Sequence, residues 1–368
     1  MTPLLRSLLL LAGSGGIPSK LWESFKREGL PPEALYQEGE PLWRRLGYPG
    51  NIQDSLRRLS DGRWPEMEGE RAARMGAVLV TCGDGDFPQG LRNHPDAPLL
   101  LYIRGKWPLP GTPVAVVGTR RCTTYGARTS AGIARALSEA SCAVISGGAY
   151  GIDRAAHEGC LSAGGATAAV LGTGVDVPYP RGHCHLFRRI VESGGALVSE
   201  YPMGTTPLPW RFPRRNRIIA WWSERLVVVE APLKSGAMIT ARHALEAGRE
   251  VWAVPGRINE DGCAGSNRLI YDGAVPFVAM GDFVSLSLGR QISLFEDLQR
   301  TGRQNSSVFP EKEQIILALL KKSGERTVDN LAVEGTMSPA EVFSCLAALA
   351  SAGKVFQAGP GRWSAVPE

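Results

Sequence analysis

From about residue 77 to 285, short apolar runs rich in Val, Ile and Ala alternate with longer stretches in which apolar residues recur every three or four positions. The runs are 114–117, 143–145, 167–171, 196–199, 226–229, 251–254 and 275–278. Each is too short for a helix and lacks the polar alternation of a half-exposed strand. The pattern therefore predicts a parallel sheet with helices on its faces, an α/β doubly wound core. Two earlier runs, 77–81 and 99–103, are expected to enlarge that sheet or brace its edge. Residues 1–75 have the helical period, with Leu21, Trp22, Phe25, Leu56 and Leu59 between Gly and Pro breaks, and predict a small helical domain. Within it, 11–20 resembles a helix-hairpin-helix turn whose backbone amides can hold a phosphate; a Gly-rich loop without a ligand is the alternative.

Turn formers without a sustained period occupy 288–309, read as a linker. In the remaining residues, 310–368, a helix is expected over 313–320, a second over 328–333 capped by Thr327, and a third capped by Ser338 with Pro339 at its first position. Two strands at 354–357 and 362–365 complete a winged helix. Its third helix has Glu341 and neither Lys nor Arg, whereas a helix that enters a DNA groove normally carries cations. A protein contact surface is the expected role; the alternative is a duplex contact through the wing alone, with Lys354 and Arg362.

A length of 368 residues suits two or three domains, and 43% hydrophobic with 21% charged residues describes an ordinary folded chain. Seven scattered cysteines without a C-x-x-C pair argue against a disulfide framework and a zinc ribbon, and point to a reducing cytoplasm. The 8–11 leucine run behind Arg6 mimics a signal peptide but is too short, and is read as a buried helix turn. No stretch approaches the ~20 apolar residues of a membrane span, so no membrane association is expected.

Charge alters the picture through its placement. The formal net charge is +5, and the segment 181–217 holds that whole excess, with seven arginines (181, 188, 189, 211, 214, 215 and 217) against Glu192 and Glu200. Within it, Pro209-Trp-Arg-Phe-Pro-Arg-Arg-Asn-Arg217 interleaves rings with guanidinium groups, as single-strand nucleic-acid sites do: rings stack on bases while arginines neutralise phosphates. Asn216 is expected to cap a helix over 217–222 and aim its positive end at the same groove. A solvated basic turn, with Trp210 and Phe212 in the core, is the alternative.

Open parallel sheets gather ligands beyond the carboxyl ends of their strands. Four loops stand there: 118–126, 146–153, 172–181 and 230–236. None shows the G-x-G-x-x-G turn followed by an acidic residue that a dinucleotide site needs, and no P-loop is present. No cofactor is expected.

The residues also carry a resemblance. Val114-Ala-Val-Val-Gly-Thr-Arg120, Ser146-Gly-Gly-Ala-Tyr-Gly-Ile-Asp153 running on to Ala155-Ala-His157, Leu171-Gly-Thr-Gly-Val-Asp176, Tyr179-Pro180, Ser199-Glu-Tyr-Pro202, Phe212-Pro213 with Arg215-Asn-Arg-Ile-Ile-Ala220, Ser235-Gly236 with Ile239-Thr240, and Val254-Pro-Gly256 resemble, in this order, the signature of the DprA family of bacterial recombination mediators. The match is strong over about 110–285 and looser outside it. The resemblance implies an extended Rossmann-like fold that binds single-stranded DNA, a homodimer, and delivery of the strand to RecA recombinase in natural transformation, without a covalent reaction. It places DNA contacts on Gly118, Thr119, Arg120, Ser146, Gly147, Gly148, Arg181, Arg211, Phe212, Arg214, Arg215, Asn216, Arg217, Lys234, Ser235 and Gly236. Where several family members have Lys this chain has Pro209, and Arg211 is expected to replace that charge.

Three other groups have weaker claims. His183-Cys184-His185 offers metal-ligating atoms but no distant partner. Asp153 and His157, four apart, suit a cap and a packed histidine better than an acid–base pair, and Asp176 reads as turn chemistry. The runner-up function is a nucleotide-binding or phosphoribohydrolase-type enzyme on the same Rossmann variant. That family ends P-G-G-x-G-T-x-x-E with a catalytic glutamate, where 232–240 here ends in Thr240.

Overall fold

The computed structural model describes residues 1–15, 18–92, 94–287, 310–351, 354–359 and 361–366. The linker expected over 288–309 lies outside these, as do residues 16 and 17 of the expected hairpin turn. The chain forms two compact units, Met1–Gln291 and Ile292–Glu368.

The first unit is an α/β structure. Its nine strands are β1 (Ala77–Thr81), β2 (Leu100–Gly105), β3 (Pro113–Val117), β4 (Ala143–Ser146), β5 (Thr167–Val170), β6 (Ala196–Ser199), β7 (Arg225–Val228), β8 (Glu250–Ala253) and β9 (Val275–Pro276), in the order β1-β2-β6-β5-β4-β3-β7-β8-β9. From β6 to β9 all neighbours run parallel, with Ala115 of β3 opposite Ile145 of β4 and Leu226 of β7. The β1–β2 pair adds two antiparallel strands at the β6 edge, so these runs enlarge the sheet.

The uninterrupted apolar runs follow from burial of both faces. On one face Val114 and Val116 pack with Ile133, Leu137 and Ile152; on the other Ala115 and Val117 pack with Ile218, Ile219 and Ala237. The leucine run 8–11 is buried on the helix Pro3–Gly13, clustered with Leu100, Tyr102, Leu171 and Leu197. Four successive buried leucines mean that this helix is enclosed on all sides, which explains why its hydrophobicity lacks the usual stripe.

In the second unit, helices Glu311–Ser323, Val328–Glu334 and Pro339–Ser351 accompany a three-stranded sheet with Arg362–Ala365 between Arg326–Thr327 and Val355–Gly359. Thr327 accepts the Asn330 amide at 3.3 Å. Ser338 and Glu341 form a reciprocal capping box at 3.3 and 2.9 Å.

Candidate nucleic-acid interface

The strand order reverses direction at β3: β4, β5 and β6 lie to one side, β7, β8 and β9 to the other. Loops leaving β3 and β7 must diverge there, and a crevice opens between them. It is a groove of about 1110 Å³, lined by Gly118 to Arg121 after β3, by Lys234, Ser235, Gly236, Thr240 and Arg242 after β7, and by Tyr179, Phe212, Arg215 and Asn216.

Several helices start near this rim, but most of their leading amides are already occupied. At the helix Thr124–Glu139, Thr123 accepts from Gly126 at 3.0 Å, while the buried Glu230 carboxylate accepts the Thr123 amide at 2.9 Å. A Cβ on Gly126 would stand 2.3 Å from that carboxyl, so only glycine admits Glu230 here. The helix Ile152–Ser162 gives its first amide to the Thr119 carbonyl at 3.2 Å. Asp153 accepts from the amides of Gly147 at 3.1 Å and Ala149 at 3.3 Å. The helix Gly236–Glu246 differs. The Ser235 carbonyl accepts the Met238 amide at 3.2 Å, but the Ser235 side chain makes no capping bond, the first helical residue lines the groove, and the helix's positive end lies there.

The arginine helix runs Arg211–Trp222, longer than the expected 217–222. Pro213 falls in its first turn, where the missing N–H is no loss. Asn216 is consequently not a cap but a buried mid-helix residue whose side-chain amide donates to the Gly236 carbonyl at 3.0 Å. The arginines divide by helix face. Arg217, buried, pairs with Glu200 at 2.7 Å and with Asp96 at 3.2 Å; Arg214 meets Asp96 at 3.2 Å and Glu200 at 3.7 Å. Asp96 also accepts the Ser19 hydroxyl at 2.6 Å, tying the N-terminal helices to this cluster. Arg215 donates to the carbonyls of Gly147, at 2.6 Å, and Val170, bracing the ends of β4 and β5. Burial pushes its guanidinium down to about 10, against the opposing pull of Asp153, whose own carboxyl burial raises.

Of the expected contact residues, the groove brings together Gly118, Thr119, Arg120, Phe212, Arg215, Asn216, Lys234, Ser235 and Gly236. Arg214 and Arg217 instead neutralise the buried Glu200 carboxylate and the half-exposed Asp96. Ser146 is buried and donates to the Val116 carbonyl at 2.7 Å. Gly147 and Gly148 are buried too, and Gly147 cannot offer a phosphate the amide it gives to Asp153. Arg181 is exposed at the start of a short 3-10 turn outside the groove, and Arg211 donates to the Thr206 carbonyl while stacking over Tyr201 and Trp210. Phe212 is half-buried, with the Arg120 guanidinium 5.6 Å from its ring centre and the Tyr179 ring 5.2 Å away. Trp210 is exposed, so neither ring is sunk in the core.

Arg121 and Arg242 also line the groove, and the sequence reading missed both. Arg242 follows Ser235 and Ile239 at helical spacing, a signal open to anyone projecting that helix. Arg120, Arg121 and Lys234 are exposed and make no ion pair among the described residues; Arg242 reaches Glu246 at 4.0 Å across solvent.

Asp153 and His157 do not pair. The His157 ring bonds Thr167 at 2.8 Å, and His183 bonds the Gly148 carbonyl at 2.9 Å. Asp176 accepts the Gly204 amide at 2.7 Å, as turn chemistry requires. Among the described residues no three His, Cys, Asp or Glu side chains are grouped to hold a metal, and no helix is long and apolar enough to cross a membrane. Thr240, where the phosphoribohydrolase pattern has its glutamate, returns its hydroxyl to the Gly236 carbonyl at 3.1 Å.

Sheet order and groove together define an extended Rossmann-like protein with a cationic cleft at its topological switch. The family model described as DNA recombination-mediator protein A matches residues 78–287, and the chain belongs to that family. It is 37% identical to the putative DNA processing protein DprA of Mycobacterium tuberculosis over 94% of both chains. It is 42% identical to the Smf protein of Escherichia coli over 54% of this chain and 53% of that one. Among solved structures, DNA processing protein A of Streptococcus pneumoniae aligns with a TM-score of 0.67 and 31% identity, covering 77% of this chain and 98% of that one. That of Helicobacter pylori, described for its single-stranded DNA binding mode, aligns with a TM-score of 0.52 and 29% identity over 57% of this chain and 96% of its own.

Proposed function

We propose that this protein binds single-stranded DNA in the groove between the β3 and β7 loops and acts as a recombination mediator. In this role it protects incoming strands and loads RecA during natural transformation. The observation that carries the reading is the convergence of Arg120, Arg121 and Lys234, exposed and free of ion pairs among the described residues, with the open N-terminus of the helix Gly236–Glu246 on one groove. Such a site takes a polyanion along its backbone and asks little of its sequence. The single-strand binding named for the Helicobacter pylori relative supports the choice of polymer. Membership of a family of mediators supports RecA as the receiving partner, a homodimer as the working form, the cytoplasm as its place and the absence of covalent chemistry. On the same reading residues 310–368 are a winged helix that contacts protein, since its third helix exposes Phe343 and Ala347 and carries no cation.

Fluorescence anisotropy with single-stranded and duplex oligonucleotides over a salt series tests this. Tighter binding of the single strand is expected, with log K falling about 0.7 per phosphate neutralised for each unit of log salt, so about 2 for three cations. Equal affinity for the duplex, or binding indifferent to salt, defeats it.

A further inference from the structure

The first helix after the switch-point strand β3 is Thr124–Glu139. In nucleotide-binding sheets of this class the leading amides of that helix receive a phosphate. In this chain a carboxylate reaches them first. Glu230 follows the neighbouring strand β7, is 2% exposed, and turns its side chain across to the helix. One of its oxygens accepts the Thr123 amide at 2.9 Å; the other accepts the Thr123 hydroxyl, which itself accepts the Gly126 amide at 3.0 Å. One negative charge thus engages two amides at the positive end of a 16-residue helix, directly and through a hydroxyl.

The surroundings are shaped to this side chain. A Cβ on Gly126 would lie 2.3 Å from the Glu230 carboxyl carbon and 2.5 and 2.6 Å from its oxygens, and a Cβ on Gly118 would lie 2.7 Å from the Glu230 carbonyl oxygen. That carbonyl accepts the Thr119 amide at 2.7 Å, which pins the backbone bearing the carboxylate to the turn after β3. A buried charge persists only where donors replace its lost hydration, and helix amides serve a carboxylate as they serve a phosphate oxygen. On the outer side Thr123, Thr124 and Tyr125 are exposed, and the rim cations Arg120 and Arg121 precede them in the same loop. The helix Gly236–Glu246 has no such plug, and the Ser235 hydroxyl at its start is buried without a partner among the described residues.

We infer that Glu230 is a specificity-determining residue. Its carboxylate stands in for phosphate at the helix Thr124–Glu139, denies that seat to free nucleotides and phosphorylated strand ends, and leaves the helix Gly236–Glu246 to meet a polynucleotide backbone. The exclusion is a property of the fold; only the last clause rests on the single-strand reading.

Removing the carboxylate should turn exclusion into capture. Glu230→Ala, Glu230→Gln and the parent are melted in phosphate and in chloride at equal ionic strength. Phosphate stabilises folded proteins in general, so the parent's own gain, which includes any phosphate at Gly236–Glu246, is subtracted. Glu230→Ala is expected to gain at least about 3 °C more than the parent, the order of shift that a ligand at about ten times its dissociation constant gives. Glu230→Gln, which keeps the seat filled, is expected to respond as the parent does. No excess gain in Glu230→Ala, or an equal gain in Glu230→Gln, overturns the inference. Should Glu230→Ala fold in neither salt, Glu230→Ser, which leaves a hydroxyl for the Thr123 amide, decides by the same difference. A second arm compares 12-mers with and without a 5′-phosphate. The parent is expected to bind them within about twofold, and Glu230→Ala to favour the phosphorylated one at least about fivefold. A parent that prefers the phosphorylated end, or a Glu230→Ala that does not, overturns the exclusion of strand ends. If neither 12-mer binds the parent, the single-strand reading falls, while the melting arm still decides the role of Glu230.

Discussion

Two sets of arginines, close in sequence or in space, have opposite fates. On the inner face of the helix Arg211–Trp222, Arg214 and Arg217 meet Glu200 and Asp96, and Arg215 meets backbone carbonyls. At the groove rim Arg120 and Arg121 stand in solvent, with Lys234 across the cleft. A buried guanidinium must find oxygen within the protein, because desolvation costs several kcal/mol unless it is offset. A rim cation keeps its hydration and stays available to a ligand. A cluster of positive charge in the sequence is thus two populations, one that builds the groove and one that meets what enters it.

The largest effect that can break this contrast is on stability. Arg217→Ala leaves the Glu200 charge buried with only the longer 3.7 Å contact to Arg214, and should lower unfolding free energy by about 3–5 kcal/mol, read from the urea midpoint. An unchanged midpoint would move Arg217 into the rim class. The next concerns His157, which burial, with His183 and Arg215 nearby, lowers from 6.5 to about 3. The unfolded chain takes up this proton below about pH 6.5 and the folded chain only near 3. The stabilising contribution is therefore complete above pH 6.5 and lost as pH falls, at up to about 1.4 kcal/mol per unit. His157→Asn, which can still donate to Thr167, should flatten stability between pH 6 and 4; the same slope as the parent would mean a folded state that accepts the proton.

Rim variants should behave in the opposite way. Arg120→Ala and Lys234→Ala are each expected to hold unfolding free energy within about 0.5 kcal/mol while reducing the salt slope of single-strand binding by about 0.7. A destabilised Arg120→Ala would show that its stacking on Phe212 is structural. The smallest effect is predicted for Arg181→Ala, whose residue lies outside the groove: neither midpoint nor slope should move, and a lower slope would extend the DNA path toward the helix Cys184–Glu192.

Most of the architecture was legible because parallel strands buried on both faces leave unbroken apolar runs, and six such runs correspond to β3 through β8; the seventh marks the partly exposed edge strand β9. The loops after β3 and β7 were legible as well, since a doubly wound sheet puts ligands beyond its strand ends. The start of the arginine helix was not, because Pro213 reads as a break and is harmless in a first turn. Arg121 adjoins Arg120 in a loop the sequence marks, and Arg242 falls at helical spacing from Ser235 and Ile239, but neither signal tells which way a side chain turns; only folding brings both to the cleft.

The order and spacing of residues by themselves determined the α/β class, the family signature and the concentration of positive charge in 181–217. Only the tertiary structure decided which of those charges are free. Ion pairing depends on partners as remote in the chain as Asp96 and Glu200, and on which amides Asp153 has already taken. Those are distances in space, which local periodicity does not encode.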